Sequence, residues 1–224
     1  MYAHKDGITL RKIERSDLKS LLRLKSESWW GTHKSLVVNM DDQETWYNSI
    51  PKDQLYMIGE WVDEQGFNVP IGVAVFTDID WISRTLRISG SIYKEHRKQE
   101  IVLAGFSAGL DFAFEMLNMR RVEAEVLEYN VPAQQLEINF LGFKIEGRRR
   151  KAVYKCGGYY DSIMLGMMRE EWQSHPRVMA YGDSCNRNFS SNKMQKLIER
   201  FNQSKAEVLA SLSLHSDNTK HDQS

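Results

Sequence analysis

Arg97 and Lys98 stand directly before a long helical pattern, and Asn130 stands at the start of a second one. A helix start offers unpaired backbone N–H groups and the positive end of the helix dipole, so it draws an anion such as a phosphate. Glu95 and His96 lie just ahead of the first helix and are residue types that take a proton from a nucleophile. Tyr129, Tyr159 and Tyr160 are types that give one. Trp29, Trp30, Asp78, Asp80 and Asp161 combine aromatic faces with carboxylates, which suits a cationic amine through cation–π contact and charge pairing. Arg148-Arg149-Arg150-Lys151 is the only dense basic run, a type of surface that meets RNA, DNA or a phosphorylated partner. Each group has a plainer use too. An early Glu in a helix suits the dipole, Asn is a good N-cap, tyrosines pack, Thr77 to Asp80 reads as a strand end and turn, and a basic run is commonly a solvated hairpin.

Composition removes several classes. Lys and Arg together number 30, as do Asp and Glu, so bulk electrostatic binding of nucleic acid is not expected. The 224 residues allow one domain with a full core and a modest extension. No apolar run spans a bilayer, and the opening MYAHKDGITLRKIE lacks the apolar stretch of a signal peptide. Cys156 and Cys185 are isolated, and no pair of histidines has metal-ligand spacing. The expectation is a reducing, cytoplasmic setting, with no metal and no membrane partner.

The elements that must position these residues follow from periodicity. Gly7 to Glu14 alternates as a strand, and Ser16-Asp17 offers a cap for a helix carrying Leu18, Leu21, Leu22 and Leu24. Asp41 to Ile50 reads as a second helix ended by Pro51. Leu55 to Val62, Val69 to Ile79 and Thr85 to Tyr93 read as strands. Ile101 to Met119 is the longest helix, and Arg121 to Glu128 is a strand with Val122, Ala124 and Val126 inward. The next helix starts at Asn130-Val131-Pro132 and stops at Gly142. Phe143 to Glu146 and Ala152 to Lys155 read as one strand and its continuation, and Tyr159 to Met168 as a last strand. The class is α+β, a mixed sheet with helices on its faces.

The stretch from Arg97 to Phe143 resembles the acyl-CoA core of the GNAT N-acetyltransferases, in the branch that acetylates protein N-termini, polyamines and sugar amines. The resemblance runs from Gly7 to Trp172, with Val126 to Asn130, Ala133 and Leu141-Gly142-Phe143 in matching order, and Tyr159-Tyr160-Asp161 to Trp172 resembling the closing strand. It implies a seven-stranded, mostly antiparallel sheet in a domain over 1–172. Residues 173–224 are then a polar linker, an amphipathic helix at about 191–212 and a disordered end. That helix either seals a sheet edge or pairs two subunits as a homodimer. The resemblance also implies acetyl-CoA as co-substrate and a small-molecule or peptide amine as acceptor, with the amine of a modified nucleobase also open. Ile92, Tyr93, Arg97, Lys98, Gln99, Glu100, Ile101, Val102, Asn130 and Ala133 would hold acetyl-CoA. Trp30, Asp78 and Asp161 would face the acceptor, and Glu95 and Tyr129 would handle protons.

Two features depart from the family. Its pyrophosphate loop reads Arg-x-x-Gly-x-Gly/Ala, and here Glu100 and Val102 stand at the glycine positions. A carboxylate about 5 Å from a phosphate would cost roughly 3 kcal/mol at an effective dielectric of 20, on the order of a hundredfold in affinity. Many members also carry a Tyr four residues before the closing Gly, or a Ser in the first turn of that helix; here those positions are Ile138 and Ala133. Three outcomes are open: an amine acetyltransferase, a binding or assembly module that has lost acyl-CoA, or a transferase with another acyl donor.

Overall fold

The computed structural model describes residues 2–3, 7–32, 39–63 and 65–176. The 191–212 stretch, Cys185 and His33 lie outside them. Eight strands form one sheet: β1 (Tyr2–Ala3), β2 (Ile8–Lys12), β3 (Leu55–Val62), β4 (Asn68–Asp80), β5 (Thr85–Ile92), β6 (Arg121–Leu127), β7 (Lys144–Lys155) and β8 (Gly158–Met168), in the order β1-β2-β3-β4-β5-β6-β8-β7. Seven have five residues or more. Every neighbouring pair is antiparallel except β5 and β6, which are parallel. A parallel pair needs a long crossover, here supplied by α3 (Gln99–Asp111) and its continuation as a π turn through Met116.

The other helices are α1 (Leu18–Ser28), α2 (Met40–Asn48), α4 (Val131–Gln134, running on as a π turn through Phe140) and α5 (Arg169–Gln173). They cover both faces. Met57 and Ile58 are neighbours in β3, so their side chains point to opposite faces. Met57 joins a core with Leu10, Ile71, Phe76, Ile88, the inward residues of α3, and Val122, Ala124 and Val126 of β6. Ile58 joins a smaller core with Leu21 and Leu24 of α1 and Trp46 and Tyr47 of α2.

The structure adjusts two sequence expectations and meets a third. Asp17 does not cap α1 with its side chain. It accepts from both terminal nitrogens of Arg11, at 2.7 and 2.8 Å, and from the Glu14 amide, clasping the strand to the turn before α1. As expected, the two segments after Gly142 join in one strand, β7, whose register slips at Ile145/Gly147 and Arg149/Val153. The closing segment ends its strand at Met168, and the remainder forms α5. Trp172 of α5 is fully buried, and its Nε1 donates to Asp111 Oδ1 at 2.6 Å, pinning α5 to the end of α3.

Trp172→Ala should therefore lower unfolding free energy in urea by about 3–5 kcal/mol. A loss under 1 kcal/mol would show that α5 contributes little to the core.

Candidate functional site

The site begins with an interrupted ladder. β5 and β6 pair at only three positions, Thr85–Arg87 with Arg121–Glu123. Beyond them β5 stays paired with β4 as far as Ile92, and β6 stays paired with β8 as far as Leu127. The edges of Ile88–Ile92 and Ala124–Leu127 that would face each other are left unpaired, and the strands part.

Glycines keep β5 close to β4. A Cβ on Gly72 would lie 2.2 Å from the Ser91 carbonyl oxygen, and one on Gly90 would lie 2.9 Å from that of Val73. No other residue allows so close an approach. The unpaired stretch of β5 also lines a small apolar cavity, together with Ile71 and Gly72 of β4, beneath Gly105, Phe106 and Gly109 of α3.

The mouth of the parting is the start of α3. The first helical hydrogen bond runs from the Val102 amide to the Lys98 carbonyl, at 3.0 Å. The amides of Gln99, Glu100 and Ile101 precede it in the helix and lack backbone acceptors among the described residues. Lys98, at the N-cap, makes no side-chain cap. The Gln99 Nε2 is sealed from solvent and also lacks a partner among them. Arg97 Nε donates to the Ile92 carbonyl at 2.9 Å and ties this turn to the end of β5. Glu100 is exposed, while Ile101 and Val102 are half-buried. The carboxylate thus leaves the amides uncovered.

Two residues expected here are elsewhere. Tyr93 is buried in the α1-side core under the Arg23 guanidinium, which lies 4.7 Å from its ring centroid. Its amide is taken by the Ile71 carbonyl at 2.9 Å, so neither its side chain nor its N–H is available to a ligand. Glu95 accepts from Arg23 Nη2 at 2.7 Å. Its own backbone N–H and that guanidinium hold its carboxyl below the usual range, which makes it a weak base.

On the far side of the parting, Asn130 Oδ1 accepts from the Ala133 amide and caps α4. Its Nδ2 lies 3.0 Å from where a Cβ on Gly31 would be, so Gly31 leaves room for it. Gln134 Nε2 donates to the last carbonyls of β6, Leu127 at 3.2 Å and Glu128 at 2.7 Å, which fixes the rotation of α4. One turn on is Glu137, a residue singled out by the structure alone. Its Oε2 is sealed with no hydrogen-bond partner among the described residues, and burial alone raises its pKa from 4.5 to about 7.

The sheet face opposite α3 carries the polar side chains of β6. Glu125 accepts from Ser162 Oγ and from Arg149 Nη1 at 3.1 Å, with Arg87 3.6 Å away. Arg148 binds both Glu128 and Asp161, and Asp161 also accepts from the Lys151 amide at 2.7 Å. Asp161 is thus occupied in shaping the β7 irregularity, where Lys151 has φ +51°. Asp78 is exposed in the β4 bulge, 3.7 Å from Arg87. Asp80 caps the turn that follows, accepting from the Ile82 and Ser83 amides. Arg148 and Arg149, half of the basic run, are neutralised by these pairs.

Trp29 and Trp30 end α1 and are exposed at their rings. Tyr129 donates its hydroxyl to the Trp30 carbonyl at 2.6 Å, and buried Lys155 donates to the Trp29 carbonyl with the Trp29 ring 5.4 Å away. Burial first, then Tyr160 and Cys156, raises the Tyr129 pKa, so it remains a neutral phenol with its proton already engaged. Among the described residues no group of three His, Cys, Asp or Glu is placed to hold a metal, and no helix is long and apolar enough to cross a membrane.

The comparisons with known proteins agree with this geometry. The family model described as an acetyltransferase (GNAT) domain matches residues 8–143. An SPbeta prophage-derived uncharacterized N-acetyltransferase, YokL, of Bacillus subtilis is 27% identical over 75% of this chain and 93% of its own length. A spermidine N(1)-acetyltransferase of Vibrio cholerae is 26% identical over 74% of this chain and 95% of its own. A crystal structure of spermidine N-acetyltransferase from Vibrio cholerae, in complex with CoA and spermine, shares the fold with TM-score 0.66 at 24% identity, covering 75% of this chain and 99% of that one.

The Glu137 environment has a consequence for stability. A carboxyl whose pKa is raised on folding stabilises most below its unfolded pKa, and that stability is lost as pH rises through the folded value. From 4.5 to about 7 the loss is on the order of 3 kcal/mol. Urea unfolding should show wild-type stability falling between pH 5 and 8, and Glu137→Gln should flatten that fall. A parallel fall in the variant would mean that Glu137 is solvated.

Proposed function

Since the chain belongs to the GNAT acetyltransferase family and is an acyltransferase, we propose that it moves the acetyl group of acetyl-CoA to a primary amine by direct attack, without an acyl-enzyme. The observation that carries this reading is the parted β5–β6 pair with three unoccupied helix-start amides at its mouth. When bound, acetyl-CoA supplies a thioester activated for acyl transfer.

The residues present fit it. The Gln99, Glu100 and Ile101 amides suit a diphosphate, reinforced by Arg97 and Lys98. The unpaired edge of β5 at Ile88–Ile92 offers backbone hydrogen bonds to an extended amide chain such as pantetheine, in the manner of an added strand. Asn130 and Ala133 flank it from the β6 side. Glu100 is exposed, so water and salt screen its charge and its penalty falls below the hundredfold of a fixed 5 Å contact.

The acceptor side narrows the amine. Glu125, Glu128, Asp161 and Asp78 each lie within ion-pair distance of an arginine. A polycation would have to displace those arginines. The exposed ring of Trp30 remains as a surface for a single ammonium group. A peptide N-terminus or an amino sugar fits this better than a polyamine, although relatives carry spermidine acetyltransferase names.

Calorimetry with acetyl-CoA should give a saturable heat at micromolar ligand, and no heat at millimolar ligand would overturn the reading. Glu100→Gln should tighten binding only about twofold to fivefold at low salt, with the gain vanishing at high salt. In a thiol-release assay, a free-amine peptide or glucosamine should exceed spermidine in kcat/KM by about tenfold. The reverse order would assign a polyamine acceptor.

A further inference from the structure

We propose that Glu137 is the proton-exchange group of the transfer, taking a proton from the attacking amine and giving it to the departing CoA sulfur. The inference rests on the acetyl-CoA reading above and deepens it.

The placement comes from the helix. Ala133, Glu137 and Leu141 are four residues apart and share one inward row. Leu141 has no exposed surface and Ala133 packs on the main core, so Glu137 stands in an apolar line where a hydrophobic side chain would be ordinary. It is the only titratable residue between Val131 and Phe140. Gln134, bonded to the Leu127 and Glu128 carbonyls, holds α4 against the end of β6. The row starting at Ala133 thereby begins on the β6 side of the parting.

The π turn from Gln135 to Phe140 adds a residue to the helical turn and sets which side chain faces inward. Ile138, four residues before Gly142, packs against the core, and Glu137 beside it supplies the carboxyl. Glu137 is half-buried, with its Oε2 sealed and unpartnered among the described residues; such an atom is costly, and a role in the reaction accounts for its being kept. Its value of about 7 matches a group that exchanges protons near neutrality. No charged neighbour contributes to that value, since burial is the sole cause. The two residues the resemblance assigns to proton handling are committed, Glu95 to Arg23 and the Tyr129 hydroxyl to the Trp30 carbonyl.

The chemistry balances. The amine lone pair forms the C–N bond, the C–S bond breaks, and sulfur leaves with its electron pair. The nitrogen then carries one proton too many. The Glu137 carboxylate accepts it and delivers it to sulfur, so the products are an amide and free CoA thiol. Glu137 is restored and nothing is oxidised or reduced.

The test compares full-length wild type, Glu137→Gln and Glu137→Asp. It measures acetyl-CoA binding by calorimetry, thermal unfolding, and thiol release with the best of spermidine, a free-amine peptide and glucosamine, from pH 6 to 9. Glu137→Gln should keep its fold, bind acetyl-CoA within twofold of wild type, lose kcat by at least about a hundredfold, and lose the acidic limb of the kcat profile. Glu137→Asp should fall between and keep that limb; if the Gln variant does not fold, Asp decides by retaining or losing it. A Gln variant with kcat within threefold of an active wild type, or one impaired only in binding, overturns this inference and leaves the transferase reading intact. A wild type that releases no thiol with any of the three amines overturns both.

Discussion

The close packing of β4 on β5 is the constraint from which the rest of the site follows. Peptide carbonyls of Ser91 and Val73 lie where side chains of Gly72 and Gly90 would be. That contact keeps β5 with β4 while β6 follows β8. A sheet that continued its ladder would satisfy every backbone group and leave no cleft. Here the ladder stops after Arg87, and the backbone groups of two strands face a gap. The tight contact on the β4 edge of β5 and the open edge on its β6 side lie on the same stretch of strand.

Charge is arranged around this gap in an uneven way. At the α3 start, Lys94, Arg97 and Lys98 are exposed and no carboxylate covers the amides. Across the sheet, Arg87, Arg148 and Arg149 sit among Asp78, Glu125, Glu128 and Asp161. These pairs are partly exposed and individually worth little to stability. Their effect is on shape and specificity. They fix the irregular middle of β7 against β8 and leave the acceptor face nearly neutral, so anion attraction is confined to one end of the cleft.

The fold was legible because its signals are periodic. Val122, Ala124 and Val126 alternate inward as expected, the cap at Asn130 and the stop at Gly142 with φ +82° mark the ends of α4, and the order of segments led to the right family. Roles that depend on long-range partners were not legible. Nothing local reveals that Glu95 meets Arg23, that Asp161 meets Arg148 and the Lys151 amide, or that Tyr93 points beneath α1. Glu137 is an intermediate case. A charged residue four positions from both Ala133 and Leu141 is visible in the sequence, but the count from Gly142 directed attention to Ile138. A π turn is set by packing and has no reliable sequence mark.

The same distinction bears on the proposed diphosphate site, whose loop lacks the glycines of the family pattern. Anion capture at a helix start depends on the first amides, which belong to the backbone and persist under any side chain that permits the helix. Glycine adds closeness of approach. A side chain there is excluded only if it folds back over the amides, and the exposed course of Glu100 avoids that. Outward placement also lets Glu100 interact favourably with the helix dipole when no ligand is bound. The substitution therefore stabilises the helix start in the free protein. It weakens anion affinity only as far as an exposed, screened charge can.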